Sequence, residues 1–143
     1  MQFLKKIKKD GFSLIEVLIG IAIVAIALLG LAQIFTYSVM TNSRAERMSN
    51  ATFLAQQQID HHRNLTADEL NTLTSGTNDE QLDVNLDGSI DYRRVTELQA
   101  SGIYWEIRVL VFSSEQLDTD VNALVQDPQQ YGVKADMSSI ISR

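Results

Sequence analysis

The sequence predicts an α+β chain: one long N-terminal helix followed by a small antiparallel β-sheet. Three observations predict it. Residues 14–32 form an apolar run broken by a single charge, and no proline interrupts residues 12–64. Two stretches rich in β-branched and aromatic residues, 90–98 and 103–112, are joined by the short glycine-containing segment Gln99-Ala100-Ser101-Gly102, which suits an antiparallel hairpin. Between helix and hairpin, residues 75–89 are rich in Ser, Gly, Asn and Asp and read as a loop.

The helix comes first. A membrane-spanning helix needs about 20 mostly apolar residues, and the run from Leu14 to Ala32 is long enough. Lys5, Lys6, Lys8 and Lys9 stand directly before it. The positive-inside rule places that end in the cytoplasm and the bulk of the chain outside. There is no small-residue cleavage site of the secretory kind after the apolar run. Past Thr36 the composition turns polar, but Ala45, Met48, Thr52, Ala55 and Ile59 recur at three- and four-residue steps. That spacing predicts a second, buried helical stripe, with Arg44, Glu46, Arg47, Gln56 and Gln57 on the other faces.

Asn64 and Leu65 are expected to end the helix. Thr66-Ala67-Asp68-Glu69 has the spacing of a capping box, with Leu65 and Leu70 at the staple positions, and predicts a short helix over 67–74. In the second strand Trp105, Ile107, Val109 and Val111 share one face by alternation and are expected to cover the second half of the long helix. Leu117, Val121, Leu124 and Val125 have helical spacing, with Ser113 or Ser114 as the cap and Pro128 as the stop. Residues 133–141 are expected to form a last strand, with Val133, Ala135 and Met137 alternating with Lys134 and Asp136.

Composition narrows the function. The 143 residues suffice for an anchor and one small domain, and 45% of them are hydrophobic. The apolar run takes a large share, so the remaining head has a modest core. Residues 1–11 carry four lysines and one aspartate, so without them the formal net charge falls from −6 to −9. An acidic head argues against nucleic acid, whose phosphates need clustered Lys and Arg. There is no cysteine, which removes the disulfide as a staple for a small domain. No nucleophile–base set, Gly-rich phosphate loop or zinc spacing stands in the chain, so an enzyme is not expected.

Glu16 is the only charge between Leu14 and Ala32. An acid in a spanning helix costs about 3 kcal/mol at its centre, so it calls for a partner and a purpose. Lys5-Lys6-Ile7-Lys8-Lys9-Asp10-Gly11, followed by Phe12-Ser13-Leu14-Ile15-Glu16-Val17-Leu18-Ile19, resembles the class III signal of type IV pilins and pseudopilins. The resemblance implies that a prepilin peptidase cuts after Gly11 and N-methylates Phe12. It implies that Glu16 neutralises the terminal amine of a neighbouring subunit and sets assembly register. The continuation 25–32, Ala-Ile-Ala-Leu-Leu-Gly-Leu-Ala, resembles PilV-type minor pilins and I-type minor pseudopilins more than major pilins. Many major pilins carry a proline where this chain has Gln33. On this reading residues 1–11 are a cleaved leader, 12–35 a transmembrane and filament-core helix, and 36–143 a type IV pilin-like head. The implied partners are other pilin subunits, the prepilin peptidase and the inner membrane. The implied role is that of a minor pilin in a type IV pilus or its initiating complex. A type II secretion pseudopilin and a tip-exposed calcium-dependent adhesin are the alternatives.

Asp83-Val84-Asn85-Leu86-Asp87-Gly88-Ser89-Ile90-Asp91 matches the first nine positions of a calcium loop. Asp83, Asn85 and Asp87 would offer side-chain oxygens, Ser89 a backbone carbonyl, and Asp91 a ligand directly or through water. The twelfth position, where a bidentate acid belongs, is Arg94. Asp79, Glu80 or Glu97 would have to replace it, or the affinity is weak. The alternative is a solvated acidic turn. His61 and His62 are adjacent, so on a helix they point apart and do not chelate. Their place suits cations at a helix C-terminus.

Overall fold

The computed structural model describes residues 11–142, without the side chains of Ala67, Leu70 and Asn71. The lysine cluster of residues 5–9 and the Leu65–Leu70 staple therefore lie outside the described residues. Helix α1 runs from Leu14 to Arg63, 50 residues, or about 75 Å of α-helix. Helix α2 is Ala67–Thr72. Strands β1 (Gly76–Leu82), β2 (Tyr92–Ser101), β3 (Tyr104–Ser113) and β4 (Ala135–Ser142) form one sheet in the order β1-β2-β3-β4. All three pairings are antiparallel. Between β3 and β4 lie a 3-10 turn, Ser114–Gln116, and helix α3, Val121–Gln126. The expected α+β architecture is therefore present, a long apolar N-terminal helix with a four-stranded antiparallel sheet.

The chain divides into two units, one ending at Asn42 and one beginning at Ser43. In the second, the sheet is buried on both faces. On one face Ala51, Leu54, Ala55 and Ile59 of α1 pack with Tyr92, Ile107, Val109, Val111 and Ala135. On the other, Val95, Leu110 and Phe112 pack with Leu124 of α3, and Val121, Val125, Tyr131 and Val133 flank them. Ile107, Val109 and Val111 thus cover α1 as their alternation predicts, and Trp105 is buried on the same strand.

Several expectations need correction. The helical stripe is as expected only at Ala55 and Ile59, which are buried; Ala45, Met48 and Thr52 are exposed, and the rest of the buried face is Ala51, Leu54, Gln58 and His62. Polar Gln58 and His62 stand on that face, so apolar spacing alone does not mark it. The segment 75–89 is not wholly a loop, because 76–82 is β1. Thr77-Asn78-Asp79-Glu80-Gln81 has little β preference, but neighbouring arginines hold it in the sheet. Arg93 donates from Nε and Nη2 to the two carboxylate oxygens of Asp79, both at 2.9 Å. Arg94 donates from Nε to Glu80 at 2.9 Å and from Nη1 to the Leu54 carbonyl at 3.3 Å. The hairpin turn is Gly102-Ile103, where Ser101 pairs with Tyr104. Gly102 has φ +62°, which the first central position of a type II′ turn requires.

The capping box forms. The Thr66 amide donates to Glu69 at 2.8 Å, and the Glu69 amide donates to Thr66 Oγ1 at 3.4 Å. The Thr66 bonds, backbone first and hydroxyl second, hold the Glu69 carboxyl below the usual range. Helix α2 stops at Thr72 rather than 74. Neither Ser113 nor Ser114 caps α3: Ser113 precedes the 3-10 turn without a side-chain bond, and Asp120 precedes α3. Leu117 therefore sits between the two elements. The last strand begins at Ala135, two residues later than expected.

Candidate functional site: the N-terminal junction and the acidic loop

Gly11, Phe12 and Ser13 precede the first turn of α1 and are exposed. The Ser13 carbonyl accepts from the amides of Glu16 at 3.0 Å and Val17 at 3.2 Å, which starts the helix. Glu16 lies in that first turn, where the helix dipole favours an acid. Its side chain is exposed, with no ion pair among the described residues. A Cβ on Gly11 would meet nothing within 4 Å. Among the described residues, packing therefore supplies no reason for glycine there. Phe12, the residue after it, is 83% exposed. A small residue and an exposed aromatic at the start of a helix form a segment that another protein can reach.

The apolar half of α1 is equally open. Its most apolar stretch is long enough and apolar enough to cross a membrane, and none of that stretch is buried within the chain. Every residue from Leu14 to Asn50 is exposed. Large aliphatic residues point to all sides of the helix, including Leu18, Ile21, Ile26, Leu28 and Leu31. Such all-round apolarity belongs to a helix covered by lipid or by other helices.

The acidic loop is held by its own side chains. Asp83 accepts from the Leu86 amide at 2.7 Å and the Gly88 amide at 2.9 Å, one with each oxygen. Asn85 Oδ1 accepts from the Asp87 amide at 3.1 Å, and Asp91 Oδ2 from the Val84 amide at 3.0 Å. Asp87 accepts from the Ser89 hydroxyl and amide, which hold its carboxyl below the usual range. Gly88 makes the sharp turn at φ +89°. The three acids available to replace a twelfth ligand are engaged elsewhere. Asp79 and Glu80 pair with Arg93 and Arg94, and Glu97 faces Arg108 at 3.7 Å. Among the described residues no three or more His, Cys, Asp or Glu side chains converge where a metal ion would sit. The loop thus offers calcium its pattern of oxygens, but not the missing bidentate acid.

His61 and His62 do not point apart as expected: their rings meet edge to face, with centroids 5.4 Å apart and planes at 84°. They are not equivalent, however: His61 is exposed and His62 is buried. Sequence reasoning also missed the two buried arginines of β2. The signal was present, since Arg93 and Arg94 lie at consecutive positions of a strand and must face opposite sides.

Residues 6–32 match the family described as the prokaryotic N-terminal methylation motif. The match contains Gly11, Phe12 and Glu16 and most of the apolar run. It supports a type IV pilin-like protein with a structural role and a membrane-associated N-terminus. No curated protein and no solved structure matches the chain.

Proposed function

We propose that this chain is a minor pilin, built into a type IV pilus or its initiating complex. The observation that carries the reading is the apolar half of α1, exposed on all sides and headed by the open Gly11-Phe12 junction. The methylation motif falls on that same segment. Cleavage after Gly11 frees an amine at Phe12, and the peptidase methylates it. In the membrane Glu16 offsets a large part of its desolvation cost by meeting such an amine on a neighbouring subunit. The helix then leaves lipid for the helices of other subunits, while the head folds around its own core in the periplasm.

Two measurements test this. Intact-mass and N-terminal analysis of the mature protein should show a chain beginning at a methylated Phe12. A chain that still begins at Met1, or one cut after Ala32, sinks the proposal. Glu16→Ala should leave membrane insertion intact, because the helix becomes more apolar, and should deplete the subunit from sheared filaments. Wild-type levels there would remove Glu16 from assembly. The minor-pseudopilin reading is distinguished by the phenotype of a deletion strain: lost secretion with normal pili would favour it.

For the acidic loop we propose a weak calcium site at most, formed by Asp83, Asn85, Asp87, the Ser89 carbonyl and Asp91. The nine-position pattern and the turn at Gly88 support it. Without a bidentate acid its dissociation constant falls in the range of about 10⁻⁴–10⁻³ M.

A further inference from the structure

The apolar half of α1 runs on past Ala32 through Gln33, Ile34, Phe35, Thr36 and Tyr37, and the Tyr37 side chain is 74% exposed. From Glu16 to Tyr37 the helix rises about 32 Å. The hydrocarbon layer of a bilayer is about 30 Å thick. A helix seated with Glu16 at one boundary and Tyr37 at the other keeps its single acid away from the lipid centre. It also sets the Tyr37 ring at the interface, where a ring with one wet end is favoured, and Phe35 just inside it.

Beyond that boundary stand Arg44 and Arg47, the only cations between Phe12 and Asp60. Both are exposed, and neither has an ion pair among the described residues. The head uses the backbone of Arg47 and not its guanidinium: the Tyr92 hydroxyl donates to the Arg47 carbonyl at 3.3 Å. Tyr37, Met40, Arg44 and Arg47 follow one another at three- and four-residue steps, so they share one face of the helix. Glu46, next to Arg47 in sequence, faces elsewhere.

Side chains on a helix lean toward its N-terminus. Here that is the direction of the apolar span. Arg44 starts about 10 Å beyond Tyr37. Its long stem carries the guanidinium back toward the headgroup layer, which is about 5–7 Å deep on each side. Arg47 starts about 15 Å beyond Tyr37 and, leaning the same way, comes within a Debye length of that layer, about 8 Å. A guanidinium fork matches phosphate oxygens. A zwitterionic headgroup carries its own cation beside its phosphate; an anionic one does not. Without residues 1–11 the formal net charge of the chain is −9, so an anionic leaflet repels most of it. The two arginines are the positive charge placed where that leaflet begins.

We infer that Tyr37, Arg44 and Arg47 form a collar that holds anionic phospholipid headgroups at the C-terminal end of the span. The inference rests on the reading of α1 as a membrane helix and adds a partner and its residues to it.

The chain has no cysteine, so single cysteines can be labelled in the full chain. The protein is reconstituted into vesicles of phosphatidylcholine and phosphatidylglycerol. One lipid at a time carries a nitroxide high on its acyl chain. A fluorophore on Ser38→Cys should find phosphatidylglycerol enriched about fivefold over phosphatidylcholine, the equivalent of about 1 kcal/mol for a basic residue at the surface. Arg44→Gln with Arg47→Gln should bring the two lipids level, and Arg44→Lys with Arg47→Lys should keep most of the preference. Inorganic phosphate at constant ionic strength should not displace the lipid. Lys5, Lys6, Lys8 and Lys9 precede the opposite end of the span and do not reach this label. Equal quenching by both lipids overturns the collar. So does a preference that survives the double glutamine change, or one that inorganic phosphate abolishes. A fluorophore on Ile26→Cys separates the two levels of the argument. If it is quenched most by a nitroxide near the acyl-chain end, the span stands and a failure at Ser38→Cys belongs to the collar alone. If it is not, the span and the collar fall together.

Discussion

Helix α1 is one continuous helix with two different halves. From Leu14 to Asn50 no residue is buried, although the first of those residues are the most apolar in the chain. From Ala51 to His62 six residues are buried, and two of them are polar. Hydrophobicity alone would predict the reverse. The difference teaches that burial within a chain depends on what the same chain can bring against a helix face. The second half has a sheet against it, and so buries even Gln58 and His62. The covering of the first half must come from outside the described residues, from lipid or from other subunits.

The comparison can be broken by truncating a large apolar side chain to alanine on each side. Phe112 is fully buried in the second unit. Phe112→Ala should cost about 3–5 kcal/mol and lower the melting temperature of the head by at least about 12 °C. Leu28→Ala, on the exposed half, should change the stability of the head by less than about 0.5 kcal/mol. Near-UV circular dichroism of the detergent-solubilised protein measures both. Equal losses would mean that the apolar half packs against the head.

A smaller effect sharpens the account of the polar part. Arg93 is 4% exposed and joins Asp79 of β1 to the carbonyls of Gln116 and Thr119. Arg93→Leu strands those carbonyls and should cost about 2 kcal/mol. The amides of β1 should lose protection from hydrogen exchange before those of β3. If β1 and β3 lose protection together, the arginine is not what holds the edge strand. In a chain without cysteine, these arginine forks on opposite faces of β2 fasten the edge of the sheet.

A local effect follows at the α2 cap. The Glu69 carboxyl is held low by its bonds from Thr66. A depressed folded value means that the bond contributes fully above the ordinary carboxylate range, near pH 4.3. The contribution is lost as the pH falls through the lowered folded value. The Thr66 amide resonance should therefore move in acid, below that range, and Glu69→Gln should abolish the movement. A titration of Thr66 at or above the ordinary value would contradict the cap.

Calcium should give the smallest effect. At a concentration equal to its dissociation constant, a ligand adds only about 0.4 kcal/mol, or roughly 2 °C for a head of this size. Millimolar calcium against chelator should produce that rise, and Asp83→Ala with Asp87→Ala should remove it. An unchanged midpoint across the millimolar range leaves the loop as a hydrogen-bonded turn.

Periodicity, turn residues and one specific motif make much of this protein legible in its sequence. The long helix, the β2–β3 hairpin with its alternating apolar face on β3, the Thr66–Glu69 box and the Gly11-Phe12-Glu16 motif are all local patterns. Each is encoded by residues a few positions apart, and so the sequence by itself determined them. Tertiary structure alone decided the phase of the buried stripe, the existence of β1 and the burial of Arg93, Arg94, Gln58 and His62. β1 is a strand because Asp79 and Glu80 meet arginines 14 residues away, and its own residues carry no such preference. Gln58 and His62 are inside because the sheet arrives over that face, while Met48 and Thr52, better placed by hydrophobic spacing, stay outside. The physical reason is range: helix, turn and cap preferences act between neighbours in sequence. Which face of an element meets which other is settled by contacts between residues distant in sequence, and in β1 the ladder to β2 together with two arginine pairs overrides the local preference.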